Sequence, residues 1–377
     1  MTSHHAAPTV AFRAGHARGA DWQEVVESAL QQIGSAQPGA NLGFLYVSDR
    51  LGSDASAILA RARESTGVRD WIGTVGVGVL ATGVEYLDEP AVALMIGAIP
   101  EGEFKVFSGK SRAPQLGART ASGAEAAHFA IVHGDPNTDD MPELIEDMST
   151  KVASGYLVGG LASSRAGTVQ FANDVLEGGL SGVVLSSRVG VTTRLTQGCV
   201  PLTPPHVVTE GDRNIIVTLD GRPALDVLRE DIGASLGGDL RRAAQIIHAG
   251  QPVEGSDTGD YLVRNLVGFD PKNRLVAIGA YVEKGMPIMF CKRDERSARE
   301  DLHRMLDSIS ADLDGPPKGG LYYACLGRGE NLFGKRSAEL ELIARRLGDF
   351  PLVGFFCNGE ISHDRLYGYT GVLTLFR

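Results

Sequence analysis

One order of segments recurs three times along this chain, and it is the strongest constraint on the fold. A short apolar strand ends in a polar residue; a loop and an amphipathic helix follow, then a second strand carrying a glycine, then a third strand. In the first copy Leu42–Val47 ends at Ser48, the helix covers about 54–66, the second strand carries Gly73, and 91–99 is the third. In the second copy Phe129–Val132 ends at His133, the helix begins after Asp140 with Pro142 in its first turn, 156–162 carries Gly159, and 182–186 follows. In the last copy Leu321–Ala324 ends at Cys325, the helix covers about 337–347, 351–357 carries Gly354, and 372–376 follows.

The interval from polar residue to glycine is 25, 26 and 29 residues. Any crossover between parallel strands needs about that length, so the interval alone does not establish duplication. The third strand, repeated soon after the second, is what points to it. The expected fold class is α/β, with mixed sheets flanked by helices and repeated β-α-β-β units in two domains or halves. Ser48, His133 and Cys325 are expected at equivalent strand ends. Ahead of the first copy, Asp21 is placed to cap a helix with Val25, Val26, Ala29, Leu30 and Ile33 on one face. Between the second and third copies the segments 261–268, 274–281 and 287–291 read as a β-meander, and a helix follows with Leu302, Met305, Leu306, Ile309 and Leu313 on one face.

With 377 residues the chain exceeds what one core usually serves. The net charge of −10 argues against a nucleic-acid footprint. The glycine-rich uncharged stretch Trp71 to Val84 is shorter than the roughly 20 residues of a membrane helix. No signal-peptide core precedes it. The cysteines at 199, 291, 325 and 357 form no CxxC pair, which fits a reduced, cytoplasmic setting. No histidine or cysteine spacing suggests a metal site.

The chemistry gathers late. Cys325 opens the turn Leu326-Gly327-Arg328-Gly329-Glu330, where a thiol, a guanidinium and two glycines meet a strand end. In sheets with helical crossovers ligands bind at such ends. The second cluster is Asn358-Gly359-Glu360-Ile361, with Gly368-Tyr369-Thr370-Gly371 just before the last strand. Consecutive strands usually neighbour in space, so Cys325, Arg328, Gly329, Asn358 and Glu360 are expected to line one pocket, joined by Tyr369, Gly160 and Ser163. Such a pocket suits a zwitterion, with its carboxylate on Arg328 and its ammonium on Glu360. The simpler reading is that Arg328 and Glu360 pair with each other. Nucleophilic catalysis by Cys325 is the lesser alternative; it needs a base, from His133 or His363, and donors such as the Gly327 and Gly329 amides. Gly76-Val77-Gly78-Val79-Leu80-Ala81 matches GxGxxA, but the β-branched residues and Gly83 leave no room for the helix a dinucleotide site requires. It reads as a strand and its return.

At these residues the chain resembles the FIST proteins, named for F-box and intracellular signal transduction. The carrying stretches are Tyr156-Leu157-Val158-Gly159-Gly160-Leu161-Ala162-Ser163, Gln197-Gly198-Cys199-Val200-Pro201, Leu219 to Leu225, Cys325 to Gly329, Gly354 to Ile361 and Gly368 to Leu373. The resemblance implies a FIST N-type domain over 21–221 and a FIST C-type domain over 222–377, after a loose tail, 1–20. It implies a stand-alone sensory protein, not an enzyme, that binds a small polar ligand, amino acids among the candidates, and relays to a partner such as a histidine kinase. Similar stand-alone proteins are described as haem-based nitric oxide sensors, which makes haem the alternative input. The usual Cys-Pro haem signal is missing here, because Val200 separates Cys199 from Pro201. Where related proteins tend to carry a Gly-Glu-Ile turn, the first copy reads Gly73-Thr74-Val75-Gly76-Val77-Gly78.

Overall fold

The computed structural model describes residues 12–34, 38–109, 123, 126–253 and 260–377. The chain separates into two compact units. One gathers Met1–Thr196, His303–Leu366 and Thr370–Arg377; the other is Gln197–Leu302 with Tyr367–Tyr369. The chain therefore returns to the first unit after His303, and the three repeats share that unit.

Each repeat contributes the same three strands in the same order. The first and second run parallel and the third lies antiparallel on the other side of the first: Leu42–Ser48 between Asp70–Gly76 and Ala91–Gly97, Phe129–Gly134 between Tyr156–Leu161 and Leu180–Leu185, Gly319–Cys325 between Leu352–Cys357 and Gly371–Phe376. The crossover helices are Ala55–Thr66, Met141–Ser149 and Ala338–Leu347.

The glycine of each second strand explains the shared register. Gly73 stands opposite Leu45, Gly159 opposite Val132 and Gly354 opposite Tyr322. A β-carbon on any of the three would land on the carbonyl oxygen of that partner. Only glycine lets the two backbones approach so closely.

The register also corrects one expectation. One residue beyond the glycine's partner stand Tyr46, His133 and Tyr323; three residues beyond stand Ser48, Asp135 and Cys325. His133 is therefore the counterpart of the two tyrosines, and Asp135 takes the strand-end position. The reason is burial: His133 is polar, but it is fully enclosed and the strand continues past it.

The chain leaving each second strand crosses into another repeat's sheet. Gly78–Ala81 pairs with Leu352–Cys357, Gln170–Ala172 with Asp70–Gly76, and Glu360–His363 with Tyr156–Leu161. Leu80, Phe171 and Ile361 fall opposite the three register glycines. The exchange is cyclic, and the inner faces of all three sheets pool into one core that includes Phe44, Ile72, Ile131, Val158, Leu321 and Val353. At its middle the Tyr46 hydroxyl meets His133 Nε2 at 3.2 Å and the Tyr323 hydroxyl at 3.0 Å.

Part of the segment expected as a loose tail is a strand. Phe12–Arg18 is a strand antiparallel to Ala91–Gly97, and Gly15 lets it lie against the carbonyl of Ala29 on the first helix. Residues 1–11 lie outside the described residues. That helix, Trp22–Ile33, starts as expected, with Asp21 accepting from the Gln23 and Glu24 amides.

In the second unit Tyr261–Asp270 pairs with Leu275–Ile278, but Pro287–Lys292 does not continue the meander. It pairs with Ile247–Pro252 and with the strand at His206–Asp212. Among the described residues no helix is long and apolar enough to cross a membrane.

The close approach yields a prediction. Gly159→Ala or Gly354→Ala forces the parallel pair apart and should lower the unfolding free energy by ~3 kcal/mol or more. Urea unfolding followed by circular dichroism measures it; a loss under ~1 kcal/mol would show that the strands separate freely.

Candidate functional site

The end of the third repeat holds the densest set of polar side chains in the sequence reading. Cys325 and Cys357 stand opposite each other on the parallel pair. Beyond Cys325 the chain turns back, with the Arg328 amide donating to the Cys325 carbonyl at 2.8 Å. Arg328 is fully buried. Its Nε and Nη2 donate to Glu339 Oε1 at 2.9 and 2.5 Å, and the Tyr322 hydroxyl donates to the same oxygen at 2.5 Å. The guanidinium also lies over the Phe333 ring, 5.4 Å from its centroid. Gly329 has a φ of +58°, and a β-carbon there would meet the Phe356 ring and Glu85 Oε1. Glycine is thus required for the turn to close over Arg328.

The expected partner of Arg328 was a ligand carboxylate or Glu360. The structure gives it Glu339 instead, from the first turn of the crossover helix. Glu85 completes the surround: its Oε1 accepts from the Glu330 amide at 2.8 Å, and its own amide donates to the Ser337 hydroxyl at 3.0 Å. Burial pushes the Glu85 carboxyl up to about 7.

Glu360 comes to the same corner by the exchanged strand. It pairs with Gly160, in one cross-strand row with His133. Its Oε2 accepts from the Thr370 amide at 3.1 Å and the Thr370 hydroxyl at 2.8 Å, while Oε1 is buried without a hydrogen-bond partner among the described residues. Burial drives its carboxyl up to about 8 even though the Arg328 charge opposes that shift. Burial first, then the Glu360 and Cys325 charges, push the Cys357 thiol well up. Cys357 Sγ fills the space that a side chain on Gly160 would need.

The remaining expected residues divide. Asn358 is exposed and its amide donates to the Leu161 carbonyl at 3.1 Å. Ser163 is a staple: its hydroxyl donates to the Phe356 carbonyl at 2.5 Å and accepts from the Val77 amide at 2.9 Å. Tyr369 belongs to the second unit, where its ring packs edge-on against His248 at 4.7 Å and its hydroxyl bonds Asn265. The structure therefore brings Cys325, Arg328, Gly329, Gly160 and Glu360 into one corner of the first unit, with Asn358 at its surface. It is a nearly closed corner, with Cys325, Leu326 and Gly327 half-buried at its surface.

Exchange also locates the missing carboxylate of the first repeat. Val79 and Gln170 occupy the Glu360 position in the other two sheets, paired with Phe355 and Thr74. Val79 is buried apolar core, and Gln170 bonds Ser181. The carboxyl is particular to one of three corners.

Neither expected base is held on the thiol by its bonds. His133 Nε2 is on Tyr46, and burial takes the imidazole down to about 3. His363 bonds Asp364 at 2.9 Å. Haem iron takes a histidine or cysteine, and a porphyrin needs open volume beside it. His133 is enclosed by the Tyr46, Tyr323 and Phe355 rings. A cavity of about 790 Å³ lies instead at the opposite ends of the first repeat's strands, lined by Asn41, Arg69, Asp70, Phe104 and Lys105 among others, without a histidine or cysteine. These residues do not fit a haem, and none of the expected site residues lines that cavity.

Comparison with known proteins settles the family. The FIST N domain profile matches residues 41–222 and the FIST C domain profile residues 224–363. The chain belongs to the FIST family. FIST domains are sensor domains associated with signal transduction. The chain is 33% identical over 368 residues to "Uncharacterized protein Rv0628c" of Mycobacterium tuberculosis, covering 94% of this chain and 95% of the relative. It is 33% identical over 321 residues to "Uncharacterized protein Mb0898c" of Mycobacterium bovis, covering 81% and 82%. The Arg328 turn and the Glu360 strand both lie within the FIST C match.

Sequence reasoning missed Glu339, Glu85 and Cys357. Glu339 was legible in one respect: it shares a helix face with buried Ile343, four residues on. Breaking the pair tests its role. Glu339→Gln should destabilise the chain by about 3–5 kcal/mol because Arg328 is left buried and uncompensated, while the double change Arg328→Met, Glu339→Leu should cost less than Glu339→Gln alone. Denaturant unfolding of the three proteins decides it; equal losses in single and double variants would deny the coupling.

Glu360 and Glu85 give a pH prediction. Both folded values lie above the ordinary carboxyl value of 4.5. The folded state then holds protons that the unfolded chain releases, so their stabilisation is full below about 4.5 and is lost as pH rises through about 7 for Glu85 and about 8 for Glu360. Unfolding free energy measured from pH 5 to pH 8.5 should fall less steeply in Glu360→Gln than in the parent. An unchanged slope would show that Glu360 is ionised in the fold.

Proposed function

We propose that this FIST protein is a cytoplasmic sensor that seats a small polar ligand at the Cys325–Glu360 corner and relays the event to a separate protein. The observation that carries the reading is the second carboxyl oxygen of Glu360, buried beside a half-open turn with no hydrogen-bond partner. A buried acceptor without a partner is costly, and a ligand donor would remove that cost.

The arrangement constrains the ligand. Arg328 is committed to Glu339, so the group recognised is a hydrogen-bond donor, an ammonium or amine, rather than a carboxylate alone. Amino acids and small amines are the fitting class. Cys325 and Asn358 would line the entrance, with Gly160 and Gly329 in the backbone beside it. Entry requires the 326–329 turn to move. That motion is the signal available to a partner, for which the family reading suggests a histidine kinase.

A thermal-stability screen tests the reading, because a ligand stabilises the state it binds. Under reducing conditions an amine-bearing ligand should raise the melting temperature of the parent, and Glu360→Gln should lose most of the shift. Small carboxylates without an amine should give none. A shift retained in full by Glu360→Gln would place the ligand elsewhere, and no shift across the amine panel would remove the reading.

A further inference from the structure

The paired cysteines carry an inference that goes beyond ligand binding and does not depend on it. Cys325 and Cys357 are direct cross-strand neighbours at the ends of the two parallel strands. Neighbouring strands lie about 4.8 Å apart, within the Cα separation of about 4.4–6.8 Å that a disulfide bridges. Paired positions put their side chains on the same face of a sheet. The thiols are close enough for charge on Cys325 to act on Cys357, and neither is in a disulfide.

The two sulfurs differ in access. Cys325 is half-buried beside the turn, and Cys357 is fully buried behind it. The chain supplies its own contrast in the second unit. Cys199 and Cys291 also act on each other's charge, but both are buried. Two thiol pairs exist, and one has an opening to solvent.

We infer that Cys325 and Cys357 form a peroxide-reactive dithiol site in which Cys325 is oxidised first and Cys357 resolves it. The Cys325 thiolate attacks a hydroperoxide; an S–O bond forms, the O–O bond breaks, and water or an alcohol leaves after taking up a proton. Cys357 sulfur then attacks the Cys325 sulfenic acid. The S–S bond forms, the S–O bond breaks, and hydroxide leaves as water with the Cys357 proton. Two thiols lose one electron each and the peroxide gains both. The product ties the Arg328 turn to the start of the Glu360 strand, so oxidation would hold shut the turn that a ligand must displace.

The test uses the full chain without any ligand. Reduced protein is treated with hydrogen peroxide at a few equivalents, free thiols are alkylated, and peptides are mapped by mass spectrometry without reduction. The expected result is one linked peptide joining Cys325 to Cys357, with Cys199 and Cys291 alkylated and full reversal by dithiothreitol. In Cys357→Ser the link should vanish and Cys325 should react with dimedone as a sulfenic acid. Oxidised Cys325 with Cys357 still open to alkylation, or a link between Cys199 and Cys291 alone, would overturn the assignment. The thiol count involves no ligand and the ligand screen is run in reductant, so either reading fails without the other.

Discussion

Three glycines opposite three carbonyls fix the architecture of the first unit. Each lets a second strand lie against a first strand at a distance no side chain permits, and each is met from the other side by a strand exchanged from another repeat. The parallel pair, the exchanged strand and the shared core are therefore one arrangement. No repeat completes its own sheet, so the third repeat is a structural requirement of the first two although more than a hundred residues separate them in sequence. That explains why the chain returns to the first unit after His303.

The same exchange places chemistry at one corner. By register, Val79, Gln170 and Glu360 are counterparts, as are Ser48, Asp135 and Cys325. Duplication supplies three equivalent positions, and divergence has left a buried carboxyl at one, an amide at another and a methyl-bearing side chain at the third. The apolar version belongs to the core, which shows that the fold does not need a charge there. A buried carboxyl retained where an apolar residue suffices is more readily explained by function than by packing.

Much of this was legible. The three strands and the crossover helix of every repeat follow from apolar runs, helical periodicity and the interval to the glycine. The turn at Gly76–Gly78 follows from β-branched residues where a helix would be needed. What escaped was non-local. His133 looked like a strand end because polar residues usually mark one, but its place among Tyr46 and Tyr323 depends on side chains from two other repeats. The strand Phe12–Arg18 escaped because Arg13, His16 and Arg18 hide the alternation. The exchanged strands escaped because Gln170–Ala172 and its counterparts are three or four residues long and acquire meaning only from register with distant partners. Arg328 stood out in the sequence, but its bond to Glu339 did not, since Glu339 sits on a helix where a glutamate ordinarily faces water.

The charge balance at the corner decides how it can respond. Glu85, Glu339 and Glu360 are buried around a single buried guanidinium. Arg328 can compensate one of them fully, and its short bonds assign it to Glu339. Ionising the other two in a low-dielectric surround is unfavourable, so they are held toward the protonated form. A protonated Glu360 behind a half-buried thiol is a group whose charge state would follow whatever the corner takes up. A cationic donor would favour its ionised form and thereby release a proton, while closure of the turn would favour the neutral form. The turn, the carboxyl and the guanidinium pair stand together where a strand of the third repeat pairs with the sheet of the second, so a local change in charge there bears on strands that belong to both.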